Sequence, residues 1–587
     1  MPLQKLLSTR LSTLLLTFAL LSGASLPAAS AQATQRARRA VTAPPATPTP
    51  SPTPSRNAPA PASVTPTAEQ KPTPLPEASP TPTPTTAPAS VRAAPRTLEE
   101  LRARIRELSQ QPALASSRLA VKVASLETGR VLYEEEANKW MQPASNMKLY
   151  TVAAALDRLG PDYRFATSVY APARPDLAGA VRGDLTIYGR GDPTYATRFN
   201  TPAAPAGTTG APVAAVQPAD YYKAIDELAA RVVASGVRRV EGDLVGDESY
   251  FTGGALPAGW EWDDLQWYYG AEVSALTIND NAVDLNIRPG AREGDPLRIS
   301  VGPATQLVTV IDRTRTAARG TRRDLTVRRA LDEDVIEVSG TMPLDDRPYT
   351  GAVAVTRPAL LFASMLRESL ERQGVQVTGR TRTMDARARA ASPLQVSSLV
   401  ELAVRQSPPL SLIAAQTMKP SQNLYTELTL RALGKATATE AKLAEDEAGI
   451  KAVKDFIERA GVGRDKLVML DGSGLSRANL VTADSTLQLL IHMSRHRHAA
   501  VFREALPVAG IDGTLRNRMK TTLAVGNVRA KTGTLGTATT LSGYVLSAGG
   551  EQLAFSIMVN NPPREADARS LFTEPVAVLL ASFTGHS

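Results

Sequence analysis

The pair Ser145 and Lys148 could carry out acyl transfer, because it places a hydroxyl and an amine three residues apart. On a helix, residues at that spacing face the same side. A serine hydroxyl is a weak nucleophile that needs a base, and a lysine amine becomes a base when burial lowers its pKa. The spacing therefore predicts Ser145 as a nucleophile and Lys148 as the group that takes its proton.

Two further segments supply groups that such a reaction needs. In Ser421-Gln422-Asn423, we expect Ser421 to relay the proton to the leaving amine and Asn423 to hold the substrate's amide. In Lys531-Thr532-Gly533-Thr534, we expect a fixed positive charge from Lys531, hydroxyls from Thr532 and Thr534, and close approach of the substrate backbone at Gly533. Together these groups suit a peptide that ends in a free carboxylate.

The order of the three segments is more specific than any one of them. A decoy of the second motif, Ser55-Arg56-Asn57, lies in a proline-rich stretch. A Ser-x-x-Lys segment, a serine-asparagine segment and Lys-Thr-Gly together are the signature of serine enzymes that penicillin inhibits, usually with Asp at the position of Gln422. We expect the backbone N–H groups of Ser145 and Thr534 to form an oxyanion hole.

Regular elements are predicted around each motif from hydrophobic periodicity. The expected helices span 146–157, 410–415, 423–433, 440–460, 483–492 and 566–583, and the expected strands span 119–124, 131–133, 541–546 and 553–559. Ser145 is thus expected at a helix N-terminus, where free N–H groups favour developing negative charge. The Lys-Thr-Gly segment is expected in an antiparallel sheet.

The interval between Ser145 and Ser421 is longer than a typical domain. Its short strand and turn segments predict a β-rich inserted region over 172–379. The expected fold class is α+β, with a catalytic domain of the β-lactamase/transpeptidase type formed by 97–171 and 380–587, an antiparallel sheet flanked by helices.

Residues 1–31 are predicted to be a secretory signal. Lys5 and Arg10 precede an apolar run, and Ala29-Ser30-Ala31 supplies a cleavage site. An uncleaved membrane anchor is the alternative, although the run is short for a span. Residues 32–96 are rich in Pro, Ala and Thr and predict a disordered linker. We therefore expect an exported protein of the periplasm or cell envelope, with no transmembrane segment in the mature chain.

The net charge of +9 at pH 7 is concentrated in this leader and linker, since residues 1–97 hold nine basic and two acidic side chains. The remainder is close to neutral, which gives no argument for nucleic-acid binding. With no cysteine, the chain forms no disulfide and carries no lipid on a cysteine. The motifs require neither a metal nor an organic cofactor.

Two other clusters are weaker signals. His492, His496 and His498 approach the spacing of zinc ligands, but arginines interrupt them, and a solvated basic helix end is the expected structure. The aromatic residues between Trp260 and Tyr269 could line a sugar or peptide surface, and packing at a core or domain interface is the favoured alternative.

Beyond its three motifs, the chain resembles the D-alanyl-D-alanine carboxypeptidase/endopeptidase family, the low-molecular-mass class C penicillin-binding proteins. The segments that carry the resemblance are Gly191-Asp192-Pro193-Thr194, Asp263-Asp264, Tyr269-Gly270-Ala271, Ser274-Ala275-Leu276, Ser407-Pro408-Pro409-Leu410, Met418-Lys419, 471–476, 510–514, 531–535 and Ser542-Gly543-Tyr544. The resemblance implies the roles given above for Ser145, Lys148, Ser421 and Asn423, a substrate-carboxylate strand at 531–533, and a long insertion after the first motif.

The function expected from these observations is hydrolysis of D-Ala-D-Ala at the end of peptidoglycan stem peptides through an acyl-Ser145 intermediate. Cleavage of D,D cross-bridges is left open. β-Lactam antibiotics are expected to act as covalent inhibitors. A β-lactamase and a non-catalytic wall-binding or penicillin-sensing module are the alternatives. The sequence leaves the oligomeric state, the third residue of the stem peptide and the base for deacylation open.

Overall fold

A computed structural model describes residues 93–200, 220–438 and 443–587. The predicted signal, most of the predicted linker, residues 201–219, and residues 439–442 at the start of the predicted helix 440–460 lie outside these ranges. Among the residues described, no helix is both long and apolar enough to span a membrane.

The secondary structure alternates between helices and short strands. The helices are α1 Leu98–Ser109, α2 Met147–Leu159, α3 Lys223–Ala234, α4 Pro358–Arg372, α5 Ala386–Ala391, α6 Leu410–Met418, α7 Asn423–Thr437, α8 Glu445–Arg459, α9 Ala483–Ser494, α10 Ala499–Ala505 and α11 Glu574–Ser582. The strands are β1 Arg118–Ser125, β2 Val131–Glu135, β3 Ala166–Ala171, β4 Ala180–Val181, β5 Leu185–Tyr188, β6 Arg239–Val240, β7 Leu244–Asp247, β8 Ala282–Arg288, β9 Arg298–Gly302, β10 Thr309–Ala317, β11 Asp324–Arg329, β12 Val335–Pro343, β13 Tyr349–Ala354, β14 Gln376–Val377, β15 Thr381–Met384, β16 Val400–Gln406, β17 Leu467–Val468, β18 Leu480–Val481, β19 Arg529–Leu535, β20 Ala538–Leu546 and β21 Gln552–Asn560. The expected α+β class is confirmed.

The principal sheet is antiparallel, with the strand order β19-β20-β21-β1-β2. Successive side chains of a strand point to opposite faces. In β1, Val121 and Val123 accordingly join the core beneath α1 and α11, whereas Ala120 and Ala124 join the core that contains α2 and α9. The sheet is thus covered by helices on both faces, and β19 lies at one edge.

Helix α2 is central to the core that also contains Ala120, Ala124 and α9. Its first ten residues, 147–156, are all buried, and all of them except Lys148, Tyr150 and Thr151 are apolar. A helix that is hydrophobic all round belongs in a protein interior. It packs against α7, α8 and α6, and this arrangement brings the first motif to the second.

A further hydrophobic core joins α3 and α4 to several small sheets, and it includes residues on both sides of the segment 172–379 that the sequence predicts as inserted. One sheet has the order β15-β7-β5-β3-β16, and two three-stranded sheets have the orders β13-β8-β9 and β10-β12-β11. The boundaries expected at 172 and 379 stay a prediction. Strands on both sides of them, β3, β15 and β16, pair within the same sheet as β5 and β7.

The segment 172–379 contacts α7 and α8. Tyr425 of α7 donates a hydrogen bond to Asp280. At the start of α8, the carboxylate of Glu445 accepts from the backbone N–H and the hydroxyl of Thr252, at 2.7 and 2.9 Å. Because α7 begins with Asn423, these contacts anchor the helix that carries the second motif.

Candidate active site

Ser145 lies in a short 3-10 turn, Ala144–Asn146, that leads directly into α2. Lys148 follows on the first turn of the helix and is fully buried. Its Nζ stands 3.0 Å from Ser145 Oγ, 2.6 Å from Asn423 Oδ1 and 2.8 Å from the Ser473 carbonyl oxygen. The structure therefore brings the predicted nucleophile, its base and the asparagine of the second motif into contact.

The three neighbours of Lys148 Nζ orient its lone pair. A carbonyl oxygen only accepts hydrogen bonds, and the amide of Asn423 is oriented by its Nδ2, which donates to the Tyr269 carbonyl at 2.8 Å. The two N–H bonds of a neutral amine are therefore taken by Asn423 and Ser473. The lone pair then faces the Ser145 hydroxyl, which is the arrangement a general base requires.

Burial lowers the pKa of Lys148 to about 7, and the carboxylates of Asp471 and Glu427 oppose that shift. A lysine with its ordinary pKa would be protonated at neutral pH and could not accept a proton. Here a substantial share of the amine is neutral near pH 7. Desolvation thus supplies the chemistry that the Ser-x-x-Lys spacing predicts.

Ser421 lies between α6 and α7 with a backbone φ of 65°, a conformation that costs energy for a residue other than glycine. Its Oγ accepts a hydrogen bond from Lys531 Nζ at 2.9 Å. Burial and the neighbouring Lys148 lower the pKa of Lys531 well below its ordinary value. Burial thus opposes the positive charge expected on Lys531, and a carboxylate beside Nζ would favour it, so the charge stays a prediction.

The third motif lies on the edge strand β19, next to the turn that carries Ser145. Thr532 Oγ1 donates to Thr514 Oγ1 at 2.8 Å, and the backbone N–H of Thr514 donates to the Lys419 carbonyl at 2.9 Å. The loop after Asp512 therefore holds the Thr532 side chain. The side chain of Thr534 is exposed at the same strand, as a group that contacts a substrate must be.

Gly533 has a packing role in addition to the one expected from the sequence. A Cβ atom at this position would lie 2.8 Å from the Pro143 carbonyl oxygen and 3.0 Å from Ala144 Cβ. Contacts this short are not tolerated between a side chain and a backbone. Glycine is thus needed for β19 to approach the nucleophile's turn.

Gln422 has a structural position. Its side-chain Oε1 accepts from the backbone N–H of Leu424 at 2.9 Å and caps α7, which Asp also does well at this position. Its Nε2 is buried without a hydrogen-bond partner. The residue that departs from the usual motif therefore holds the helix rather than the reacting atoms.

Sequence reasoning missed two buried carboxylates, Glu427 and Asp471. Glu427 accepts from the backbone N–H groups of Gly472 and Ser473 at 3.1 and 2.7 Å. It stands four residues after Asn423, a spacing that puts both on one face of α7, and an acidic residue in such a buried helix is the signal that could have revealed it. Ser473, whose carbonyl contacts Lys148, lies in the 471–476 segment that carried only a resemblance.

The carboxylate of Asp471 accepts five hydrogen bonds and so organises the loop around it. The donors are Trp260 Nε1, Ser473 Oγ, Asn479 Nδ2 and the backbone N–H groups of Gly474 and Ser476, at 2.7–3.3 Å. Trp260 belongs to the inserted region, so the aromatic cluster contributes an anchor for this loop. In contrast, Trp262 is 72% exposed.

The histidine cluster forms no metal centre in the described ranges, where no group of three or more His, Asp or Glu side chains could hold a metal ion. His496 Nε2 instead lies 3.1 Å from Asp157 Oδ1, and Arg459 and Arg497 contact the same carboxylate.

The chain is similar to known proteins over most of its length. The sequence profile of the D-Ala-D-Ala carboxypeptidase 3 (S13) family matches residues 101–582. A D-alanyl-D-alanine carboxypeptidase of Actinomadura sp. (strain R39) is 35% identical over 511 residues, which are 85% of this chain and 88% of that protein. D-alanyl-D-alanine carboxypeptidase DacB of Haemophilus influenzae is 25% identical over 74% of this chain and 84% of its own length.

The fold is similar to that of a solved relative. The crystal structure of penicillin binding protein 4 (dacB) from Haemophilus influenzae superposes with a TM-score of 0.66 at 24% identity, covering 81% of this chain and 97% of that one. A second structure of that protein, in complex with a β-lactam, has a TM-score of 0.60 at 23% identity and covers 81% and 96%.

Proposed function

The chain belongs to the D-Ala-D-Ala carboxypeptidase 3 (S13) family, and on that premise we propose that it hydrolyses the terminal D-Ala-D-Ala bond of peptidoglycan stem peptides through an ester on Ser145. It is a serine-type, penicillin-binding carboxypeptidase. The observation that carries the proposal is the contact of the buried Lys148 amine with Ser145 Oγ at 3.0 Å, with the other two polar neighbours of the amine being acceptors.

Acylation begins with transfer of the Ser145 proton to Lys148. Oγ attacks the carbonyl carbon of the penultimate D-Ala, and the backbone N–H groups of Ser145 and Thr534 bind the resulting oxyanion. The proton then passes through the Ser421 hydroxyl to the leaving amine, so that D-Ala departs and the ester remains. Lys148 is again neutral and is the base nearest the ester for activation of water.

Substrate binding falls to the remaining motif residues. Lys531, with Thr532 and Thr534, binds the terminal carboxylate, and that negative charge favours the protonated form of the buried lysine. Asn423 Nδ2 already donates to the Tyr269 carbonyl. A substrate amide that binds to Asn423 therefore competes with Tyr269 for the Nδ2 donor or lies beside this hydrogen bond. Gly533 keeps this strand close to the nucleophile.

β-Lactams are proposed as covalent inhibitors that acylate Ser145. A relative in Dictyostelium discoideum is named a penicillin-sensitive carboxypeptidase, 24% identical over 75% of this chain, and a structure of the Haemophilus influenzae protein holds a β-lactam. The alternatives of a β-lactamase and of a non-catalytic wall-binding module are not favoured by the family.

The domain organisation and location are proposed as the sequence predicts them. Residues 1–31 are a signal that directs export to the periplasm or envelope, 32–96 are a linker, 172–379 are inserted, and 97–171 with 380–587 are catalytic. Peptidoglycan stem peptides are the partner that this location would supply.

Mass spectrometry of the chain from residue 32 onward tests the proposal. Brief incubation with a penicillin should give a single adduct on the peptide that contains Ser145, and Ser145→Ala should give none. The same variant should release no D-Ala from stem peptides. Rapid turnover of the penicillin would support a β-lactamase, and undiminished D-Ala release by Ser145→Ala would contradict the proposed mechanism.

A further inference from the structure

A buried carboxylate of α7 is linked to the catalytic lysine through the backbone of Ser473. Glu427 is 1% exposed, and both of its oxygens are used. Oε1 accepts from the Ser473 N–H at 2.7 Å, and Oε2 accepts from the Gly472 N–H at 3.1 Å. These two contacts hold the backbone at Gly472 and Ser473 in place. The carbonyl oxygen of Ser473 in turn accepts a hydrogen bond from Lys148 Nζ at 2.8 Å.

This arrangement decides where the Lys148 lone pair points. If the Ser473 carbonyl turned away, one N–H of the neutral amine would seek another acceptor, and Ser145 Oγ is the nearest. The amine would then donate to the nucleophile instead of accepting its proton. Glu427 therefore acts on catalysis through the backbone of Ser473, without touching the reacting atoms.

The same carboxylate contributes charge. When Lys148 takes the proton of Ser145 it becomes an ammonium in a fully buried site, and a buried charge without a counter-charge is costly. Asp471 and Glu427 are the two carboxylates that favour the charged form of Lys148. Glu427 also has a second cationic neighbour. The buried Arg431, one turn further along α7, interacts electrostatically with Glu427 and with Asp446 and Glu445 of α8.

We propose that Glu427 is a positioning residue of the active site, which holds the Ser473 carbonyl against Lys148 and supplies negative charge for the ammonium formed during acylation. The proposal rests on the proposed roles of Ser145 and Lys148. Burial, and then the neighbouring Asp471, raise the pKa of Glu427 above its ordinary value, while the hydrogen bonds from Gly472 and Ser473 favour its carboxylate form.

The surroundings of Lys148 define which groups contribute to a pH profile. Asp471 faces it from the 471–476 loop, Glu427 from α7 and Lys531 from β19. Removing the Glu427 charge leaves Asp471 as the only one of these that favours the ammonium. The pKa of Lys148 should then fall further, and the neutral amine should persist to lower pH.

Glu427→Gln tests both parts. The second-order rate constant for acylation of Ser145 by a penicillin is measured from pH 5 to 9. The maximal rate should fall about 10–100-fold through lost positioning, and the acidic limb of the profile should move about one unit to lower pH. A role confined to packing would lower the rate at every pH and leave the limb in place, and that result would overturn the proposal.

The matched control is Glu248→Gln. Glu248 is a half-buried glutamate whose pKa burial raises to about 7, and it accepts from Ser274 Oγ at 2.5 Å. Its replacement should leave the acylation profile unchanged. If Glu427→Gln shows no cooperative melting, Glu427→Asp decides: it keeps the charge, so the limb should stay while the maximal rate falls, and a moved limb would contradict the proposal. Adduct formation on wild-type Ser145 checks the proposed function separately.

Discussion

Gly533 of β19 lies directly against Pro143, the residue that precedes the nucleophile's turn: a Cβ atom on Gly533 would stand 2.8 Å from the Pro143 carbonyl oxygen. The edge strand and the turn that carries Ser145 therefore approach each other more closely than a side chain allows. This approach links the third motif to the first, although the two lie at opposite ends of the catalytic sequence.

Gly533→Ala should separate the strand from the turn. The added methyl would meet the Thr540 hydroxyl, the Pro143 oxygen and Ala144 Cβ, and the Pro143 oxygen belongs to a backbone that cannot rotate away. We expect acylation by a penicillin to slow about 100-fold, as a displacement near 1 Å can cause. Gly536→Ala, where a Cβ would meet nothing within 4 Å, should acylate at the normal rate, and equal rates for the two variants would contradict this reading.

The acylation rate should rise with pH through about 7. The reactive form of Lys148 is the neutral amine, and burial lowers its pKa to about 7, so the fraction of active enzyme increases as protons leave. Stopped-flow measurement of β-lactam acylation between pH 5 and 9 gives the profile. A rate that still rose steeply above pH 9 would show that Lys148 keeps the ordinary pKa of a lysine.

Thr514→Val should weaken binding of substrates that carry a free carboxylate. The variant removes the partner that holds Thr532 Oγ1 at 2.8 Å while preserving the shape of the side chain. Loss of one such hydrogen bond is worth about 0.5–1.5 kcal/mol, which corresponds to a rise in KM of about 2–12-fold.

The kinetic readout for Thr514→Val is D-Ala release from a stem peptide, with kcat and KM separated. Thr326→Val, on an exposed position of β11, is the matched substitution and should change neither constant. A lower kcat with an unchanged KM would contradict the predicted role of Thr532 in binding.

Trp260→Phe should loosen the loop that presents the Ser473 carbonyl. The indole N–H donates to Asp471 Oδ2 at 2.8 Å, and phenylalanine keeps the ring while removing this donor. Four other donors to Asp471 remain, so the expected loss in acylation rate is about 3–10-fold. Trp262→Phe is the control, since that ring is largely exposed; a larger effect at Trp262 than at Trp260 would contradict the prediction.

Much of this organisation could be predicted from local sequence patterns. Spacing alone indicated that Ser145 and Lys148 share a helix face, and periodicity placed α2, α7, α9 and the strands β20 and β21 close to their observed bounds. The α+β class and the family followed from the order of the motifs and from the further segments of resemblance. These features are local, because helix and strand periodicity and motif order are written into neighbouring residues.

The polar environment of Lys148 was decided by tertiary structure. Asn423 of α7 and the Ser473 carbonyl, in a loop far along the chain, contact Lys148, and Glu427 holds that loop. No sequence period predicts which carbonyl will meet a given amine. The pKa of Lys148 depends on how completely packing excludes water, and burial lowers the pKa of Lys531 for the same reason. The sequence alone thus predicted which groups would react, whereas only the fold decided their surroundings and direction, because both depend on long-range packing and burial.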